Sequence, residues 1–584
     1  MTIIFKFFIS IIFIFFISKN IYSQYLPEPK LKQNFPVELE SPYGIELPSA
    51  QFYDLDNDGC LEIIFANRHN VHIIRSNGEN FPGWPQYIES SAFNELAIGD
   101  IDGDGNKEII VASCTFLGSV HALRTNGEYM PGFPVTFQDP ESRCARGPTL
   151  YDINKDGKLE IFFTTDYKVY GLDWRGKILP GWPKTIPNGF FGTSSPRIAD
   201  MDFDSIPEIF VSALFTDWVD TTRYFMIVCY QPDGTIKSGW PFVRKNQSMY
   251  VHRLGAIGKY PDDDFKVLAF GTSRYINVYN YYFYLLNPLG EVIEGWPKEL
   301  EGPMMGRNSP VFINYKNQKF SDIVIAGDRW GYLYAWEKDG TSLPKFPYEL
   351  PWIDGLFYSD IMSVPIPYHD LGNGEFVLFT HQSLTKNDTG YVNASRSNGT
   401  QMWWSPLKVN GLAASTPAFA DLENDGTVEM VMATKTADQI NYLYVWEFPG
   451  IPYDKQRFPW PVGNANRWNT GEFGFEPTDT VIVSVRNEEG LPTKIKLYQN
   501  YPNPFNASTK IKYDIDRNTK VRLSVYNILG QEVVVLVDAE QRAGTYEAVW
   551  DPSASSGRVL PSGVYYAKME SDNYKSIQKL IMIK

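Results

Sequence analysis

The residues best placed to do chemistry are carboxylates at fixed intervals. A nine-residue acidic pattern recurs as DLDNDGCLE from Asp54, DIDGDGNKE from Asp100, DINKDGKLE from Asp152, DMDFDSIPE from Asp200 and DLENDGTVE from Asp421. Alternate spacing at positions one, three and five turns three side-chain oxygens toward one centre. Glycine at position six accepts a bend that a β-carbon resists. An all-oxygen set without imidazole selects calcium over zinc, copper or iron. No glutamate closes position twelve, and apolar strand-like residues follow, so the pattern predicts hairpin calcium loops. Their affinity should fall in the weak extracellular range, about 10⁻⁴ to 10⁻³ M.

The expected ligands are Asp54, Asp56, Asp58, Cys60 and Glu62; Asp100, Asp102, Asp104, Asn106 and Glu108; and Asp152, Asn154, Asp156, Lys158 and Glu160. Asp200, Asp202, Asp204 and Glu208 form a fourth set, and Asp421, Glu423, Asp425, Thr427 and Glu429 a fifth. Position seven enters through its backbone carbonyl, which is why Cys60, Asn106, Lys158 and Thr427 are included. The Asp200 loop is weaker, because Ser205 replaces glycine and Pro207 stiffens the return. Degenerate copies begin at Lys259, Asn314 and His369. In the Asn314 copy, Lys316 stands at position three, where its ammonium can take the cation's place and satisfy Asp322. Solvated Asp-Gly turns are the simpler alternative; four complete copies in register argue against it.

A second marker sets the repeat length. Phe35-Pro36, Trp84-Pro85, Phe133-Pro134 and Trp182-Pro183 are each 49 residues apart, and Trp240, Trp296, Phe346 and Trp460 continue the series before proline. Between markers the order is constant: acidic loop, short apolar run, alternating or aromatic segment, then a turn such as Asn77-Gly78 or Asp233-Gly234. Such turns favour tight hairpins. Four short strands in about fifty residues describe a propeller blade. The fold class is therefore all-β: a β-propeller of seven to eight four-stranded blades, eight favoured, followed by a small immunoglobulin-like β-sandwich. The first and last markers, Phe35 and Trp460, would meet in one closing blade. The tryptophans recur in every unit, which suits wedges between blades better than sugar platforms.

These units resemble the FG-GAP and VCBS repeats of integrin-type β-propellers, where an Asp-rich loop holds a mainly structural calcium and ligands bind on the faces. The C-terminal stretch carries its own signature. Tyr501-Pro502-Asn503-Pro504-Phe505, Val525-Tyr526-Asn527-Ile528-Leu529-Gly530-Gln531, Ala543-Gly544-Thr545-Tyr546 and Leu560-Pro561-Ser562-Gly563-Val564-Tyr565 resemble the type A sorting domain of the type IX secretion system. That resemblance implies a Bacteroidetes-like source, contact with the secretion machinery, and release or attachment at the cell surface. The expected organisation is a signal peptide at 1–23, the propeller at 24–462, a polar linker at 463–492 and the sorting domain at 493–584.

Bulk composition agrees. The chain has 584 residues and a net charge of -15, a poor match to nucleic-acid phosphates. Lys6 and the apolar run Phe7–Ser18 read as an export signal, too short to span a bilayer. No transmembrane segment is expected in the mature chain. In an oxidising compartment Cys114 and Cys144 can pair, although buried or unpaired thiols are an equal reading. Six scattered histidines and the lack of H-E-x-x-H, G-x-S-x-G, Walker or dinucleotide patterns give no catalytic constellation. The expected function is a secreted or cell-surface, calcium-stabilised, non-enzymatic module that binds glycan or protein. The alternatives are an extracellular polysaccharide-acting lyase or hydrolase on the same scaffold, and a purely structural or adhesive surface component.

Overall fold

The computed structural model describes residues 26–583 apart from several segments. The longer ones are 40–48, 138–144, 248–253, 273–280, 314–321, 351–365, 476–481, 484–494 and 551–559. The shorter ones are 93–94, 115–117, 218–221, 246, 305–308, 371–374, 385–388, 414, 437, 439, 454–457, 459–460, 463–464, 471, 473–474, 507, 516–518, 542–543 and 572–573. The expected signal peptide, the Asn314 loop with Lys316, most of the His369 loop, Cys144 and Trp460 lie outside the described residues.

Eight antiparallel sheets form from residues before 453, one per repeat unit. Blade 2 is representative: Ala97–Gly99, Glu108–Ser113, Ser119–Leu123 and Val135–Thr136 pair in that order. In blade 1 the element Glu62–Ile74 fills both central places, its first half pairing with Gln51–Tyr53 and its second with Gln86–Ala92. First strands of blades 3 to 7 are Arg146–Tyr151, Arg197–Ala199, Ala256–Gly258, Val311–Ile313 and Ile366–Asp370. Blade 8 combines Ala418–Ala420, Thr427–Lys435 and Asn441–Pro452 with two N-terminal strands, Lys30–Leu31 and Val37–Leu39. Early and late chain thus share one sheet, and a core containing Phe35, Phe65, Ala418 and Val445 seals blade 8 to blade 1. The ring has eight blades.

The aromatic marker explains how blades hold each other. Each tryptophan lies buried, and its indole N–H donates to a carbonyl in the hairpin turn of the next blade. The pairs are Trp84 to Thr125 O (2.8 Å), Trp182 to Pro232 O (3.0 Å), Trp240 to Pro288 O (2.9 Å) and Trp296 to Lys338 O (2.7 Å). Trp404 reaches Leu26 O at 3.1 Å on the N-terminal segment. The preceding glycine permits the approach: at Gly181 (φ +84°) a β-carbon would lie 2.4 Å from Asp233 O. These rings are wedges, as their recurrence implies.

The segment read as a polar linker is partly built into the hub. Pro461 O accepts from Phe419 N of blade 8 (2.9 Å), Arg467 O from Ile98 N of blade 2 (2.9 Å) and Trp468 O from Leu150 N of blade 3 (2.9 Å). Asn469, buried with φ 61°, donates through Nδ2 to Leu96 O and Pro148 O, both at 2.9 Å. Its Oδ1 accepts from Gln51 Nε2 (3.3 Å), and its carbonyl accepts from the buried Arg197 guanidinium (3.1 Å). Glu472 pairs with Lys266 at 2.7 Å and bridges to Ile257 of blade 5. The first strands are sheet edges with bare backbone groups facing the centre, and an edge needs a cover. The polar residues here serve those groups, which composition alone cannot distinguish from a solvated linker.

The C-terminal region forms two four-stranded antiparallel sheets around one core that includes Ile511, Tyr513, Leu523, Trp550, Met569 and Leu580. Its main strands are Thr509–Ile515, Thr519–Asn527, Glu532–Gln541, Gly544–Trp550, Gly563–Ser571 and Tyr574–Met582. Ile482–Val483, within the expected linker, adds a further strand beside Gly544–Trp550. Cys114 is disulfide-bonded, whereas Cys60 and Cys229 are free. Among the described residues no helix is long and apolar enough to cross a membrane.

Asn469→Ala should strip partners from buried backbone carbonyls of two blades and place alanine in the left-handed region. The expected loss is about 3 kcal/mol or more, read as an earlier denaturation midpoint of the propeller with the C-terminal sandwich unchanged.

Candidate metal centres

All five acidic loops join the first strand of a blade to the second, so they sit on one rim of the ring. The position-nine glutamate opens the second strand and faces the last residue of the first: Tyr53↔Glu62, Gly99↔Glu108, Tyr151↔Glu160, Ala199↔Glu208 and Ala420↔Glu429. Its Oε2 accepts the N–H of position two at 2.8 Å from Leu55, 3.0 Å from Ile101, 2.9 Å from Ile153, 2.9 Å from Met201 and 2.8 Å from Leu422. The position-one aspartate accepts the N–H of position six, as Asp54 does from Gly59 at 3.0 Å and Asp421 from Gly426 at 2.9 Å. The position-five aspartate accepts the N–H of position seven, placing Cys60, Asn106, Lys158 and Thr427 at 2.7–2.9 Å from their partners. The loop conformation is therefore encoded by its own acidic side chains.

Neighbouring loops are also stitched together. The N–H of position eight donates to the carbonyl of position two in the preceding loop, from Leu61 to Leu422 (2.7 Å), Leu159 to Ile101 (3.3 Å) and Lys266 to Met201 (2.7 Å). Pro207 occupies position eight of the Asp200 loop and has no N–H to give.

Folding concentrates negative charge where water is scarce. Glu62, Glu108, Glu160, Glu208 and Glu429 are at most 2% exposed. Burial, reinforced by the neighbouring aspartates, pushes Glu62 up to about 7 and Glu108, Glu160 and Glu429 up to about 8. Burial also raises Asp54, Asp100, Asp152, Asp200 and Asp421. Ligand atoms of Asp54, Asp56 and Asp58 lie within 4.8 Å of one another, as do those of Asp100, Asp102 and Glu108, and those of Asp200, Asp202 and Glu208. In the Asp152 loop an amide replaces the third carboxylate, and Asn154 Nδ2 donates to Glu160 Oε1 at 2.8 Å.

The loops differ in what balances that charge. At Asp100 the ammonium of Lys107 stays 3.9 Å from Asp100 Oδ2, leaving the three-carboxylate donor set suited to a hard dication. At Asp54 the part-exposed Arg75 spans Asp56 Oδ2 (2.5 Å) and Asp58 Oδ2 (3.2 Å). At Asp421, Lys32 of the N-terminal segment lies between Glu423 (2.6 Å) and Glu447 (2.7 Å). Glu447 escapes sequence reading because it sits outside the loop, on the third strand opposite Glu429. In the Asp200 loop, Lys237 contacts Asp202 Oδ2 at 2.6 Å and also pairs with Glu208 Oε1. The degenerate loop at Lys259 holds Asp263, which pairs with Lys338 of the next blade. Within the Asp200 set, expected as calcium ligands, Asp202 and Glu208 thus hold an ammonium.

An eight-bladed ring with Asp-rich hairpin loops on one rim and a two-sheet domain behind it defines an exported repeat protein. The chain carries FG-GAP-like repeats, matched over residues 54–111 and 152–211, and a secretion system C-terminal sorting domain, matched over 499–584. The sorting domain directs the protein out of a Bacteroidetes-type bacterium, to the medium or the outer cell surface. No curated protein matches the chain. Among solved structures, BamB from Moraxella catarrhalis is 15% identical, over 72% of this chain and 100% of its own, with a TM-score of 0.40. The V. cholerae biofilm matrix protein Bap1 is 14% identical, over 76% and 93%, with a TM-score of 0.38.

Without metal, the folded chain binds more protons than the unfolded one between the ordinary glutamate value, about 4.5, and about 8. Stability of the chelator-treated propeller should therefore fall as pH rises from 5 to about 8.5, as thermal melting across that range will show. Glu108→Gln keeps an acceptor for Ile101 N–H but removes the buried charge, and should flatten this dependence.

Proposed function

We propose that the protein is a calcium-braced recognition disc, a non-enzymatic module that binds a glycan or protein at the cell surface. The observation that carries this reading is the commitment of the conspicuous carboxylates to structure. Each position-nine glutamate accepts a backbone N–H of its own loop, and the hub side of the first strands is engaged by the chain's own Arg467, Trp468, Asn469 and Glu472. Acidic groups so engaged are poor candidates for general acid or nucleophile, and recognition falls to the loops of a rigid ring. Calcium at the Asp100 and Asp152 loops would supply positive charge to buried carboxylates and hold those hairpins in shape. Asp100, Asp102, Asp104 and Glu108 would ligate in the first, and Asp152, Asn154, Asp156 and Glu160 in the second. Export through residues 499–584 places the disc where its ligands are and where calcium is plentiful.

The hub contacts require a test on the full mature chain. Applied to immobilised polysaccharides and matrix proteins, it should be retained more strongly with calcium than with chelator, and release no sugar. Shortened glycan products would overturn the non-enzymatic reading in favour of a lyase or hydrolase. A chain ending before residue 499 should accumulate in the periplasm; equal surface display would remove the address from that domain.

A further inference from the structure

The Asp200 loop does not fit the metal its family implies. Of its three converging carboxylates, Asp200, Asp202 and Glu208, the last two bind the Lys237 ammonium, which is 10% exposed. We propose that Lys237 is a built-in replacement for the calcium ion, so that blade 4 is held by a tethered ammonium and takes up no metal. This inference rests on the calcium reading of the intact loops.

The ring supplies its own internal comparison. Lys237 N–H donates to Cys229 O, and the same main-chain bond occurs in the seven other blades, from Lys32, Phe81, Met130, Leu179, Ile293, Leu343 and Met402. The equivalent position is apolar in six blades and basic in two, blade 4 with Lys237 and blade 8 with Lys32, and each of these lysines reaches into the carboxylates of its own blade. Lys237 coincides with the loop that has Ser205 in place of glycine, at φ 68°, and Pro207 in place of a stitching N–H. An ammonium suits the place: it carries a positive charge and three donors for carboxylate oxygens, and it costs no translational entropy because it is already attached. A dication at the same centre would have to displace it against direct charge repulsion. Lys266 adds a second positive charge nearby, donating to Asp200 O at 2.7 Å while pairing with Glu472. The groups facing Lys237 are thus carboxylates of its own blade, with Lys266 of blade 5 behind them.

The test compares the full chain with Lys237→Met, a residue that blades 2 and 7 already carry there. Equilibrium dialysis against millimolar CaCl2, with bound calcium counted by elemental analysis, should find one more ion per chain in K237M than in the unsubstituted protein. Adding Asp202→Asn to K237M should remove that ion, whereas D202N alone should leave the original count unchanged. Lys237→Arg should also keep the original count. A K237M chain that folds only when calcium is present, judged by thermal melting, would support the inference equally. It is overturned if folded K237M gains no ion, or if D202N alone loses one. Failure of the unsubstituted chain to bind any calcium would sink the reading of the Asp100 and Asp152 loops, and the difference between the two chains would still decide the role of Lys237.

Discussion

Every blade begins with a strand that has a neighbour on one side only, and the covering of those edges governs the rest of the molecule. A first strand left bare would expose backbone N–H and C=O groups along the centre. The stretch ending at Glu472 runs along the first strands, and Asn469 alone reaches four blades. On the opposite side of blade 8 the N-terminal strands pair with Asn441–Pro452, so the ring cannot open without breaking a sheet. In both places polar backbone atoms are met by chain from a distant part of the sequence.

The outer packing has a different source. Blades present flat apolar faces to each other, and a wedge-shaped gap opens toward the periphery. The marker tryptophans fill that gap, and the indole N–H fixes the neighbouring turn. Blades 2, 6 and 8 carry phenylalanine instead (Phe133, Phe346 and Phe35), which fills the gap without the hydrogen bond. The acidic loops lie on the rim where these turns gather, so any cation there acts on a place where two blades already touch.

Charge on that rim is handled unevenly, and the unevenness has physical consequences. Glutamates that open second strands are buried because the sheet begins there, and their charge must be neutralised by protons, metal or a side-chain cation. At the Asp100 loop three carboxylates converge while the Lys107 ammonium stays 3.9 Å from Asp100, and at the Asp152 loop the Asn154 amide bonds Glu160. The loops at Asp200 and Asp421 are supplied from within by Lys237 and Lys32. A chelator would then loosen one sector of the disc and spare another, which suits a protein exported to surroundings of variable ion content.

Spacing along the sequence determined the repeat, the acidic loops and the all-β character of both parts, because each depends on residues close together in the chain; it left seven or eight blades open, and the pairing of N-terminal strands with blade 8 decided for eight. Glycine at position six, aromatic before proline, and alternation in the strands are local rules, and the fold obeys them. Tertiary structure alone decided which loops carry their own cation. Lys237 follows Asp200 by a whole strand pair, Lys32 comes from the other end of the chain, and Glu447 joins its site only through strand register. It also decided that Asn469 and Glu472 belong to a buried hub, because polarity reports the need for hydrogen-bond partners without reporting whether water or backbone supplies them.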